Sequence, residues 1–210
     1  MLTTNASYEN ETSPKPALQT SQLRDGWHHS RFQPYLKMLA PAIAPEATLL
    51  GTVAPRTCAE IDVGALINNA KACREAAAKS GTRVMAVVKA DAYGHGAVPC
   101  ARALSPQVDA FAVAITEEAI ALRDAGINLP ILVLQGPHSR EDVKVMSSAA
   151  LWPAISGDHQ IDWLEKADAH FEQVWLKCDT GMHRLGFMPQ EIAPAWSRLT
   201  ARTASDIVLM

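Results

Sequence analysis

The distribution of apolar and polar positions divides the chain near Pro55. Residues 1–54 are rich in Thr, Ser, Asn, Gln and Pro and show no regular apolar period, which predicts a poorly ordered N-terminal extension. From Pro55 onward, short apolar runs alternate with amphipathic segments. This alternation is typical of parallel strands joined by helical crossovers, so residues 55–210 are predicted to form an α/β domain.

The apolar runs predict the strands, while capping signals and apolar spacing predict the helices. The first element is predicted to be a lone strand at 57–61, followed by a helix that Asp62 caps and Gly81 ends. The apolar run at 84–88 lacks polar alternation, which predicts a strand buried on both faces. The further predicted strands are 110–115, 131–134, 152–155, 174–178 and 207–210, and the further helices are a short one ending near Leu104, then 116–125, 139–149, 158–169 and one starting near Pro189.

The length of the repeat limits the choice of fold. Roughly 20 to 30 residues per strand and helix suit either a (β/α)8 barrel or an open doubly wound sheet, and both build their sites at the carboxyl ends of the strands. A closed barrel needs about 250 residues, so 55–210 supply five complete units and a sixth strand of one. The polar residues at predicted strand ends, which are expected to face one mouth, are Lys89, Thr116, Gln135, Ser156 and Asp179.

Charge and cysteine content exclude several classes of function. The chain has 19 basic and 22 acidic residues, a net charge of -3 and no cluster of Lys and Arg, which argues against binding to nucleic acid or to an anionic membrane. No secretory signal or membrane-spanning run is present in the sequence. The cysteines form no C-x-x-C pair, which predicts reduced thiols, a cytoplasmic location and no metal site; they are Cys58, Cys73, Cys100 and Cys178.

The run AVVKADAYGHG at 86–96 carries the first candidate chemistry. Lys89 follows a predicted buried strand, where partial desolvation suits its amine to form an imine with a carbonyl compound such as pyridoxal phosphate. Tyr93 is close enough along the chain to reach a phosphate through its hydroxyl, while Gly94 and Gly96 allow a tight turn into the next helix. On the residues alone, a surface lysine beside a glycine-containing turn is the alternative interpretation.

The run LKCDTGMHRLGF at 176–187 carries the second. It places Lys177, Asp179 and Arg184 in a glycine-bounded turn at a strand end, where the three charged groups can converge on one anionic group. An arginine held by such a turn suits a phenolate or carboxylate oxygen. The alternative is a salt-bridged turn in which Asp179 orients Arg184.

Taken in this order, the two runs resemble signatures of the alanine racemases, which are pyridoxal phosphate enzymes of fold type III. The run AEIDVGALINNAK at 59–71 is similar to a further signature of that family. The likeness covers 55–210 and implies an incomplete TIM barrel of the (β/α)8 type, about five and a half units long. It also implies an isomerase that interconverts L-alanine and D-alanine, supplies D-alanine for the cell wall and uses pyridoxal 5'-phosphate as its cofactor.

The resemblance assigns roles to individual residues of this sequence. It implies that Lys89 bonds covalently to the cofactor and acts as a catalytic base, and that Tyr93 hydrogen-bonds the cofactor phosphate. It implies that Arg184 contacts the phenolic oxygen of the cofactor and the substrate. Lys177 is then the lysine that is often carbamylated to steady this arginine, and Met182 lies near the substrate carboxylate.

The resemblance also implies parts that the sequence does not match. The complete family enzymes are homodimers in which a tyrosine from the C-terminal domain of the partner subunit serves the opposite face of the substrate, and none of Tyr8, Tyr35 and Tyr93 matches that position. The expectation is therefore an N-terminal portion of a racemase that is inactive alone. A non-catalytic pyridoxal phosphate-binding relative and a non-catalytic interaction protein remain as alternatives.

Overall fold

The computed structural model describes residues 59–202 and 206–210, with only the backbone described at Arg202. The predicted extension at 1–54 lies outside the described residues, as do Thr57 and Cys58. Residues 59–62 belong to no strand or helix. The prediction of a lone strand at 57–61 is therefore wrong for its described part, because Asp62 already caps the first helix.

Six strands alternate with helices through the described part of the chain. The strands are β1 Met85–Val87, β2 Ala110–Val113, β3 Ile131–Val133, β4 Trp152–Ile155, β5 Gln173–Leu176 and β6 Asp206–Leu209. The helices are α1 Val63–Ala78, α2 Ala97–Leu104, α3 Thr116–Asp124, α4 Arg140–Ser148, α5 Asp158–Lys166 and α6 Ile192–Arg202, with a 3-10 turn at Pro189–Glu191 before α6. A further helical segment, Lys89–Tyr93, belongs to the candidate site.

All six strands are parallel and pair in sequence order, β1 to β6. Side chains of successive strand residues point to opposite faces of the sheet, and this separates two apolar clusters. Phe111 and Val113 join the large core that the helices cover, whereas Ala110 and Ala112 face the other side. Parallel neighbours need crossover connections, and right-handed crossovers between strands that pair in sequence order all lie on the same face of the sheet.

The second face of the sheet has a small apolar layer of its own. Among the described residues, this layer draws only on strands and strand ends, with Leu132, Trp152 and Ala154 at its centre. The rings of Trp152 and Trp175 stack with their centroids 6.3 Å apart. An inner layer built by the strands and an outer layer of helices form part of a (β/α)8 barrel. The incomplete TIM-barrel type is therefore confirmed.

Capping residues fix the helix starts that place the site. The Asp62 carboxylate accepts a hydrogen bond from the Ala65 amide at 3.0 Å and begins α1, as predicted. Gly81, with φ +68°, follows the end of α1 and turns the chain toward β1. Ser139 begins α4 by accepting a hydrogen bond from the Asp142 amide at 3.1 Å.

The prediction that the first strand is buried on both faces is wrong. Met85 and Ala86 are half-buried and Val87 is 52% exposed. In the described part of the chain β1 pairs only with β2, so it stands at an edge of the sheet and has no second neighbour to cover it. By contrast β2, β3 and β4 are fully buried.

Candidate active site

Lys89 stands at the carboxyl end of β1, where sequence reasoning places it. The pairing of β1 with β2 continues one residue beyond the strand, because the Val88 amide donates to the Ala112 carbonyl at 2.9 Å. Val88 is buried and Lys89 is half-buried, so the lysine leaves the core just as the strand ends. Its Nζ atom lies 5.8 Å from the centroid of the Tyr93 ring. The amine and the phenol ring thus share one side of the site.

The backbone that joins Lys89 to Tyr93 is a left-handed helical turn. The four residues Ala90–Tyr93 all have φ between +52° and +53°, and none of them is glycine. For such residues this conformation costs roughly 1–2 kcal/mol each, and it normally occurs as single residues rather than in succession. Strain of this kind persists only when the surrounding structure imposes it, and it concentrates at functional sites.

Hydrogen bonds hold this left-handed turn at both ends. The Ala90 amide donates to Glu118 Oε1 at 2.6 Å, and the Ala97 amide donates to Asp91 Oδ1 at 2.6 Å. Within the turn, the Ala92 amide donates to the Val88 carbonyl at 2.9 Å. Both carboxylates come from residues that sequence reasoning left out of the site. Glu118 resembles an ordinary acidic residue in the first turn of a helix, so the sequence gives no signal of its reach to residue 90.

The tight turn into α2 that the sequence predicts at two glycines is confirmed. Gly94 and Gly96 both have φ +86°, and the Gly96 amide donates to the Asp91 carbonyl at 3.0 Å. The turn leaves the Tyr93 side chain 70% exposed. Among the described residues, none forms a hydrogen bond with its hydroxyl. This hydroxyl is therefore available to an external group.

The second site segment is the loop that follows β5, residues 177–187. Its base is closed by paired hydrogen bonds: the Asp179 amide donates to the Phe187 carbonyl at 2.8 Å, and the Phe187 amide donates to the Lys177 carbonyl at 2.9 Å. Gly186, with φ +128°, sits at the closure, where a Cβ atom would lie 2.8 Å from the Asp179 nitrogen. This close approach explains why glycine stands at that position.

Asp179 organises the inside of this loop. Its Oδ1 accepts hydrogen bonds from the amides of Gly181 at 3.0 Å and His183 at 2.9 Å, and its Oδ2 lies 3.1 Å from His183 Nδ1. The hydrogen bonds from the His183 and Gly181 amides are the main cause that lowers the pKa of the Asp179 carboxyl. The alternative in which Asp179 pairs with Arg184 is therefore wrong, because the carboxylate is already occupied by the loop backbone and by His183.

Lys177, Asp179, Met182 and Arg184 line one shallow cavity of about 200 Å³. In the described chain no carboxylate forms an ion pair with Lys177 or Arg184, so both cations are open to an anionic ligand. Met182 is 76% exposed at the rim. The structure thus brings four of the predicted site residues, all those on the β5 loop, to a single concave surface.

Lys89 and Tyr93 do not line that cavity. Because all strands are parallel, however, β1 and β5 end at the same edge of the sheet, the one formed by the carboxyl ends of the strands. Barrels of this type carry their active sites at this edge. Two of the other predicted strand-end residues, Gln135 and Ser156, take part in structural hydrogen bonds with Gln160. The Gln135 carbonyl accepts from Gln160 Nε2 at 2.8 Å, and the Ser156 amide donates to Gln160 Oε1 at 2.7 Å. Gln160 thereby joins the ends of β3 and β4.

Comparison with known proteins identifies the family. The family model described as the alanine racemase N-terminal domain matches residues 61–210. The chain belongs to the alanine racemase N-terminal domain family. The alanine racemase of Xanthomonas oryzae is 45% identical over 146 residues, which is 67% of this chain and 38% of that protein. The catabolic alanine racemase of Pseudomonas aeruginosa is 44% identical over 152 residues, covering 71% of this chain and 42% of that protein.

Solved alanine racemases share the fold as well as the sequence. The biosynthetic enzyme from Pseudomonas aeruginosa superposes with a TM-score of 0.62 at 34% identity, covering 69% of this chain and 41% of the other. The alanine racemase from Acinetobacter baumannii gives a TM-score of 0.64 at 31% identity, covering 71% and 44%. The chain therefore spans about two fifths of the length of these four alanine racemases. In its described part, no helix is long and apolar enough to cross a membrane.

Proposed function

We propose that this chain carries the cofactor lysine of a pyridoxal phosphate-dependent alanine racemase, which interconverts L-alanine and D-alanine. The observation that carries the proposal is the presentation of Lys89 and Tyr93 together by a strained left-handed turn at the carboxyl end of β1. Ordinary strand ends do not need four successive left-handed residues. The membership of the chain in the alanine racemase N-terminal domain family supports the same conclusion.

The residues present fit pyridoxal phosphate by the chemistry of their donors. A primary amine, a phenol hydroxyl and a guanidinium are available on the same edge of the sheet at Lys89, Tyr93 and Arg184. We assign the covalent bond to the cofactor to Lys89, the phosphate hydrogen bond to Tyr93, and the phenolic oxygen to Arg184. When bound, the cofactor supplies a conjugated ring that delocalises the negative charge left on the substrate after loss of its α-proton.

We assign the remaining roles to residues that line the cavity after β5. The Arg184 guanidinium also binds the substrate, Lys177 in its carbamylated, anionic form steadies this arginine, and Met182 lies near the substrate carboxylate at the rim of the cavity. With the cofactor bound, the Lys89 amine would take the α-proton from one face of the substrate. Family enzymes complete the reaction as homodimers, and we propose the same assembly for the whole protein.

Proton exchange tests the proposed function. The chain loaded with pyridoxal phosphate is incubated with L-alanine or D-alanine in deuterium oxide, and deuterium at the α-carbon is measured by mass spectrometry. Because Lys89 serves one face only, we expect one enantiomer to exchange faster than the other. The Lys89→Arg variant is expected to reduce that exchange by about a thousandfold, within the range that a general base contributes.

The matched control is Lys71→Arg, on the exposed surface of α1, which should exchange like the wild type. Exchange that survives Lys89→Arg contradicts the assignment of the base. The expectation that this chain is inactive alone concerns racemisation, which needs a base on each face of the substrate, whereas exchange at one face needs Lys89 only. A chain that binds the cofactor yet exchanges neither enantiomer is instead a non-catalytic binding relative, and this outcome contradicts the racemase proposal.

A further inference from the structure

The pairing of β1 with β2 ends immediately before the reactive lysine. Val87 is the last residue of β1 in register with β2, and the Val88 amide makes the final backbone hydrogen bond, to Ala112. Beyond this point the two segments diverge: the one after β1 enters the left-handed turn, and the one after β2 enters α3. The amides of Ala90 and Ala114 therefore need acceptors that the sheet no longer provides.

One side chain supplies both acceptors. Glu118 Oε1 accepts from the Ala90 amide at 2.6 Å, and its Oε2 accepts from the Ala114 amide at 2.7 Å. Oε2 also lies 3.4 Å from the Ile115 nitrogen, so the carboxylate closes the first turn of α3 as well. The carboxylate thus takes the place of a further rung between the two strands, at the position where the backbone ladder stops.

We propose that Glu118 is a positioning residue for Lys89. Resting on the proposed function, this inference adds a residue that acts through the backbone and does not touch the substrate. The Ala90 amide is the nitrogen that follows Lys89, so its hydrogen bond to Glu118 fixes the peptide group next to the Cα atom that carries the lysine side chain. It also anchors the first of the four left-handed residues, whose conformation is unfavourable without external support.

Asp91 cannot replace this anchor. Its carboxylate holds the far end of the turn, at the Ala97 amide, and it belongs to the turn itself. Glu118 is the only described side chain that hydrogen-bonds the Ala90 amide, and it comes from a different element that is itself fixed to the sheet. Its removal is expected to free the Lys89 end of the turn while α2 stays anchored.

Three variants separate positioning from general stability. Glu118→Ala removes both acceptors, and Glu118→Gln keeps one carbonyl oxygen and the shape of the side chain. Glu117→Ala is the matched control, because Glu117 is the exposed neighbour in the same helical turn. Far-ultraviolet circular dichroism establishes that each variant is folded.

The first readout is amide hydrogen exchange in the chain without cofactor. Loss of a hydrogen bond to a charged acceptor should speed exchange across residues 89–94 by about tenfold in Glu118→Ala. Glu118→Gln should fall between that variant and the wild type, and Glu117→Ala should match the wild type. Equal exchange in Glu118→Ala and Glu117→Ala contradicts the proposal.

The second readout is the site of covalent capture by pyridoxal phosphate. The chain is mixed with the cofactor, reduced with borohydride and mapped by peptide mass spectrometry. We expect Glu118→Ala to capture cofactor at Lys89 about tenfold more slowly, with labelling of exposed lysines such as Lys71 unchanged and with partial rescue in Glu118→Gln. A purely structural defect would alter all lysines together, and unchanged capture at Lys89 overturns the positioning role.

The two proposals fail in different ways. If the wild-type chain shows no preference for Lys89 over exposed lysines, the proposed function is wrong and the role of Glu118 toward the cofactor is wrong with it. If the wild type captures cofactor at Lys89 and Glu118→Ala does so equally fast, only the positioning role is overturned.

Discussion

At the scale of single residues, backbone conformation decides the site more than side-chain type does. The loop after β5 holds Arg184 because the Asp179 carboxylate accepts hydrogen bonds from two loop amides and because Gly186 allows the two ends of the loop to approach closely. The turn after β1 presents Tyr93 because two carboxylates hold a left-handed backbone. Substitutions that alter the backbone at these points should therefore have larger effects than substitutions of exposed neighbours.

Gly186→Ala tests this at the loop closure. The added Cβ would lie 2.8 Å from the Asp179 nitrogen and 3.1 Å from the Lys177 oxygen, both of them backbone atoms. Such contacts, together with φ +128°, should lower the free energy of unfolding by about 2–4 kcal/mol. Urea denaturation measures the change.

Gly181→Ala is the control for that substitution. Gly181 lies in the same loop with φ +144°, but its added Cβ would meet no atom within 4 Å. It therefore carries the cost of the backbone conformation without the clash, and it should destabilise the chain by less than Gly186→Ala. Equal effects of the two substitutions would show that the close approach of the loop ends is unimportant.

At the scale of elements, charged side chains join the partly exposed surfaces of the neighbouring helices α5 and α6. Arg198 of α6 donates to Asp158 at 3.0 Å, to Asp162 at 2.6 Å and to Glu165 at 2.9 Å, all on α5. The hydrogen bond from Arg198 is the largest cause that lowers the pKa of the Asp162 carboxyl below its usual range. Helix α6 packs against β5, from which the loop of the candidate site departs.

The lowered pKa predicts a loss of stability in acid. A carboxyl whose pKa is lower in the folded chain stabilises it at every pH above its unfolded value, and this contribution disappears as the pH falls through the folded value. Asp162→Asn should therefore lower the thermal midpoint at neutral pH and flatten its decline below about pH 4. Asp168→Asn, at an exposed position beyond α5, serves as the control. An unchanged acid profile in Asp162→Asn would contradict the pairing with Arg198.

At the scale of the whole molecule, the sequence predicts the order of the strands and helices better than it predicts how far each of them is buried. The alternation of apolar runs and amphipathic segments correctly predicts β1 to β6 and α1 to α6, because each element carries its own local signal. The exposure of Val87 was not predictable in this way, since it depends on which strand stands at the sheet edge.

In the candidate site, too, the sequence predicts the positions of residues but not the backbone conformation or the long-range contacts. The motifs place Lys89, Tyr93, Lys177 and Arg184 at strand ends, and the structure agrees. The left-handed turn has no glycine among its four residues, so composition gives no sign of it. Glu118 acts on a residue 28 positions away, and only the folded chain shows that contact.

A crystal structure of this chain grown with pyridoxal phosphate tests the central claim most directly. We predict continuous density from Lys89 Nζ into the cofactor, with the phosphate hydrogen-bonded to the Tyr93 hydroxyl and the turn at 90–93 still left-handed. Cofactor bonded to another lysine, or a phosphate held away from Tyr93, would contradict the assignment of this edge of the sheet as the active site.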